Sequence, residues 1–85
     1  MNQRFNFKIN TIEANNKPHV RFITALAPDY PIALSMVRDY PGFQNVLEKM
    51  RLGTALSPLD QAREATNTLM YETDPDGNPL PYKSR

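Results

Sequence analysis

The sequence predicts an α+β domain: a three-stranded antiparallel sheet with a helix on one face, in the order ββαβ, followed by a C-terminal helix. Three observations carry this. Two early segments alternate apolar and polar residues with a period of two, as half-buried strands do. Two later segments open with a helix-capping residue and a proline. The chain of 85 residues is long enough for one domain and too short for two.

The first strand is read over 4–12, RFNFKINTI. Phe5, Phe7 and Ile9 share one side, and Arg4, Asn6, Lys8 and Asn10 the other. The turn-rich stretch Glu13-Ala14-Asn15-Asn16-Lys17-Pro18 follows. Residues 19–26, HVRFITAL, alternate again. Val20, Phe22, Thr24 and Leu26 share one face, and His19, Arg21, Ile23 and Ala25 the other. Two such runs across a short loop make an antiparallel hairpin.

Asp29 then caps a helix, with Pro31 in its first turn. Ala33, Met36, Val37 and Tyr40 recur at helical spacing, and Pro41-Gly42 stops the helix. Residues 43–52, FQNVLEKMRL, fit either state. Phe43, Val46, Leu47 and Met50 are spaced for a helix, and the alternative order is therefore a hairpin followed by three helices, ββααα. A strand is preferred, with Val46, Met50 and Leu52 inward, because a lone hairpin is marginal in water and a third strand relieves that. Ser57, Pro58 and Asp60 form the start of the last helix, with a capping box. Its apolar stripe is Leu59, Ala62, Thr66, Leu69 and Met70, running through Tyr71. The domain is expected to occupy 1–72. Residues 73–85, TDPDGNPLPYKSR, hold three of the eight prolines and read as a flexible tail with a turn at Asp76-Gly77.

Composition narrows the chemistry. There is no cysteine, so disulfides, thiolate nucleophiles and the usual structural zinc sites are excluded together. No stretch approaches the ~20 apolar residues that span a bilayer, the N-terminus lacks the apolar run of a signal peptide, and a cytoplasmic protein is expected. His19 is the one histidine and stands at the start of a strand with no nucleophile or acid arranged around it. Asp74-Pro75-Asp76-Gly77-Asn78 has alternating oxygen ligands like a calcium loop, but Pro75 interrupts it and no closing glutamate follows. Gly42, Gly53 and Gly77 stand alone, so no phosphate-cradling loop exists. No catalytic residue, metal site or cofactor is expected.

Charge is distributed unevenly. Residues 1–53 hold seven Lys/Arg against four Asp/Glu, and residues 54–85 three against five. If three strands form, Arg4, Asn6, Lys8, His19, Arg21, Lys49 and Arg51 gather on the sheet face away from the first helix. Such a face suits phosphates or an acidic protein surface, or is simply solvated, with lysines protecting strand edges. Phe5, Phe7 and Phe22 alternate to the opposite side and read as core, which leaves this face without the aromatic platforms of single-strand binders. The candidate contact residues are Lys8, Arg21, Lys49 and Arg51, with Ile23 as an apolar anchor. Pro79-Leu80-Pro81-Tyr82 is a second candidate handle, in an extended conformation.

A hairpin, a helix ending in Tyr40-Pro41-Gly42, a strand and a capped helix make a build that resembles small accessory proteins of phages and plasmids, anti-CRISPR inhibitors among them. The resemblance covers roughly residues 4–70 and is one of architecture. It implies a small non-enzymatic protein that occludes a surface on a larger host machine. The expectation is a protein-binding accessory or inhibitory module. The alternatives are a small nucleic-acid-binding protein that uses the same basic face, and a self-associating structural protein, a homodimer in its simplest form.

Overall fold

The computed structural model describes residues 1–78 and Leu80. It is an α+β fold with one four-stranded antiparallel sheet and two helices. The elements are β1 Gln3–Ile12, β2 Pro18–Ala27, α1 Tyr30–Arg38, β3 Phe43–Lys49, α2 Pro58–Ala65 and β4 Met70–Thr73. The spatial order is β3-β1-β2-β4. The third strand, expected because a lone hairpin is marginal, is present but ends at Lys49, so Met50 and Leu52 lie beyond it and are exposed, and the sheet gains a fourth strand.

The β1–β2 hairpin sets the faces. Its loop closes where Glu13 N–H donates to the Lys17 carbonyl at 3.0 Å, with Asn16 in the left-handed region at φ 63°. Ile12 therefore opposes Pro18, and the register carries down to Phe7 opposite Ile23 and Lys8 opposite Phe22. Residues directly opposite in an antiparallel pair point to the same face. So Phe5, Phe7, Ile9, Ile23, Ala25 and Ala27 share the side that α1 covers with Ala33 and Val37. Tyr30, at the start of α1, packs its ring 6.5 Å from that of Phe5 and 6.0 Å from that of Phe7.

This overturns the expected faces of the second strand. Ile23 and Ala25 lie in the core, and Phe22 lies on the other side with Lys8. Alternation defines the two sides of each strand but not which side joins which. The loop register does that, and it favours the smaller apolar set of β2.

α1 begins as expected. Asp29 accepts a hydrogen bond from Ile32 N–H at 3.1 Å, and Pro31 sits in the first turn. β3 starts directly after Gly42, whose φ is +78°. A Cβ there would lie 2.7 Å from the Ile12 carbonyl oxygen, so only glycine lets the strand enter beside β1. Two register shifts interrupt the β1–β3 pairing, between Lys8 and Ile9 and between Asn10 and Thr11.

α2 has the capping box: Ser57 Oγ accepts from Asp60 N–H at 3.1 Å, and Asp60 Oδ2 from Ser57 N–H at 3.0 Å. The helix ends at Ala65 and does not run on to Tyr71. Asn67 takes φ 61°, and Thr68 N–H closes on the Arg63 carbonyl at 2.8 Å, which is a left-handed C-terminal cap. Met70–Thr73 then pairs with β2 as β4.

The expected boundary at residue 72 moves too. Thr73 is the buried end of β4, and the turn Asp74–Asn78 packs against β1, where Arg4 Nη2 donates to the Gly77 carbonyl. Most of the candidate handle at 79–82 lies outside the described residues.

Candidate binding surface

Among the described residues there are two ionic clusters, one on each side of the sheet. On the α1 side, Arg21 donates to Glu13 Oε2 at 2.5 Å and to Glu72 Oε1 and Oε2 at 3.2 and 3.1 Å. Tyr40 Oη donates to Glu72 at 3.3 Å. The Glu13 hydrogen bond leads the effects that raise the Arg21 pKa, so the guanidinium is locked in its charged form. Burial, then the Glu72 charge, pushes the Tyr40 phenol up. The cluster ties the hairpin, the end of α1 and β4 together.

On the opposite side, α2 sets Asp60 over Arg4 and Tyr71. Asp60 is fully buried, accepts from Tyr71 Oη at 2.5 Å, and lies 3.5 Å from Arg4 Nη1. Burial alone would raise its pKa. Tyr71, the Ser57 backbone and side chain, and Arg4 outweigh that and hold it below the ordinary carboxylate value. The Tyr71 phenol is pushed up to about 12, by burial first and then by its bond to Asp60. Arg63 stacks its guanidinium 4.3 Å from the centre of the Tyr71 ring. Asn6, Thr24 and Leu26 are buried beneath this end of the sheet.

The residues anticipated as one contact face are dispersed by the true register. Ile23 has no exposed surface and is a core residue, so it cannot serve as an exposed anchor. Arg21 is on the α1 side, held by two carboxylates. Lys49 is also on that side, with Nζ 4.7 Å from the centre of the Tyr30 ring. Lys8 and Arg51 remain on or beside the face opposite α1, and among the described residues neither makes an ion pair.

That face is open toward the hairpin tip. α2 stands over the Arg4–Leu26 end, but Val20 is 45% exposed and Phe22 only half-buried. Lys8 Nζ lies 6.0 Å from the centre of the Phe22 ring. Phe22, Met50 and Arg51 also border a small cleft of about 90 Å³, closed at its far side by Asp74 to Gly77. Phe22 was hidden from sequence reasoning by its grouping with Phe5 and Phe7. No local signal in the sequence separates the two registers; it is the pairing of Ile12 with Pro18 that places Phe22 across from Lys8.

The Asp74–Asn78 stretch is a closed turn. Asp74 Oδ1 accepts from the N–H groups of Asp76 and Asn78, at 2.9 Å each. Among the described residues, no group of three or more His, Asp or Glu side chains is placed to hold a metal ion, and no helix is long and apolar enough to cross a membrane. Comparison with protein-family models, curated proteins and solved structures returns no match for the chain.

Proposed function

We propose that the chain is a protein-binding accessory or inhibitory module that docks on a larger partner through the open face of its sheet. The observation that carries this is the juxtaposition of half-buried Phe22 and exposed Val20 with Lys8 and Arg51, cations that form no ion pair among the described residues. Apolar side chains ringed by charges that can form hydrogen bonds make a compact recognition patch. The buried ionisable groups, by contrast, are engaged with one another: Asp60 with Tyr71, and Arg21 with Glu13 and Glu72.

The test is affinity capture from nuclease-treated host lysate, comparing the native chain with Lys8→Glu/Arg51→Glu. Both positions are outside the core, so circular dichroism of the double variant should be unchanged. Partner recovery is expected to fall at least about tenfold, because each reversal replaces an attraction with a repulsion. Undiminished recovery by a folded double variant rules out this face.

A second reading has its own observation. Phe22 beside Lys8 on an open sheet face is the aromatic platform that single-strand nucleic-acid binders use. On that reading, affinity for a single-stranded oligonucleotide falls steeply with salt and is lost in Phe22→Ala. Binding that is absent or indifferent to salt removes it.

A further inference from the structure

The outer edge of β3 is the other surface with a definite chemistry. β3 is the last strand on its side of the sheet, so its outward N–H and C=O groups have no neighbouring strand. Between this edge and α1 runs a groove of about 380 Å³. Tyr30, Leu34, Phe43 and Val46 line it, all partly buried against the core. Two cations stand at its rim: Arg38 in the last turn of α1, and Lys49 at the end of β3 above the Tyr30 ring. Neither forms an ion pair among the described residues. Glu48, the one acid in β3, stands opposite Lys8 in the register, on the other face of the sheet.

We infer that the β3 edge is a strand-addition site for an extended partner segment whose residues on the α1 side, every second position, include both apolar and acidic side chains. Backbone hydrogen bonds to the edge would supply affinity, and alternate side chains would supply selectivity. The apolar positions enter the groove over Phe43 and Val46, and the carboxylates meet Arg38 and Lys49. A second copy of this chain is a poor occupant. Pairing β3 with itself would bring the Arg38 and Lys49 of both copies to one side, where β3 offers no carboxylate. The inference rests on the chain being a protein-binding module but uses a different surface, so the two fail separately.

The probe is a synthetic peptide of Val-Thr-Glu-Thr repeats, which brings valine and glutamate to one face, with a peptide carrying lysine in place of glutamate as control. Titration followed by amide hydrogen exchange should slow exchange in Phe43–Lys49 selectively. The lysine peptide should bind at least about tenfold more weakly, since its charges oppose the rim. Arg38→Glu/Lys49→Glu should reverse that preference. Because Lys49 packs on Tyr30, Arg38→Glu alone serves as a milder variant that leaves the packing intact. Lys8→Glu/Arg51→Glu should bind the acidic peptide normally. Equal binding of both peptides, or no protection of β3 at millimolar acidic peptide, overturns the inference. So does β3 protection that rises with protein concentration alone, which would make a second copy the occupant.

Discussion

Phe7→Ala is expected to lower stability by about 4 kcal/mol, the range for truncating a fully buried aromatic residue. Phe7 has no exposed surface, packs against Tyr30 with ring centres 6.0 Å apart, and lies opposite Ile23 in the middle of the hairpin. For a domain of this size the loss corresponds to a fall in Tm on the order of 20 °C. Phe22→Ala should cost only about 1 kcal/mol, because that ring is half in solvent and gives up little buried area. Thermal or urea unfolding of the two variants measures the contrast. Equal losses would mean that the two phenylalanines share one core, and the open face would not exist.

Asp60→Ala is expected to cost roughly 3 kcal/mol, because it strips a buried hydroxyl and a nearby guanidinium of their shared acceptor. The carboxylate joins α2 to β4 through Tyr71 and to β1 through Arg4, and it closes the capping box with Ser57. Its titration has a definite sign. The folded pKa lies below the ordinary value near 3.8, so the native state holds fewer protons than the unfolded chain. The stabilisation is whole above that value and is lost as pH falls through the folded pKa. Tyr71 behaves oppositely. With its pKa raised from 10.0 to about 12, its contribution is complete below pH 10 and disappears as pH climbs through about 12. Tyr71→Phe should flatten the alkaline limb of the stability curve, and Asp60→Asn should flatten much of the acid limb. A stability profile unchanged at both ends in both variants would show that this contact carries no weight in the fold.

Much of the architecture is legible in local patterns. Alternation marks β1 and β2. Asp29 with Pro31, and Ser57 with Pro58 and Asp60, mark both helix starts, because capping chemistry is a property of a few adjacent residues. The strand at 43–49 rests on a weaker argument, the marginal stability of a lone hairpin, and the helical spacing of Phe43, Val46 and Met50 opposes it. Two things escape such reading. β4 is four residues long and directly follows an apolar stripe, so Leu69 and Met70 look like the end of α2, and only Asn67 as a left-handed cap separates the two. The pairing of faces between β1 and β2 is a matter of register across the loop, and each strand is equally consistent with either choice. That one choice moved Arg21 and Ile23 away from Lys8 and brought Phe22 to it.

The functional account therefore stands on the face opposite α1, where Phe22 and Lys8 lie side by side. The direct measurement is nuclear Overhauser contacts of the Phe22 ring in the isotope-labelled chain. Contacts to the Lys8 side chain and to Thr73, its partner on β4, with none to Val37 or Tyr30, are the predicted result. A Phe22 ring in contact with Val37 or Tyr30 would return it to the core beneath α1 and leave the proposed surface without its centre.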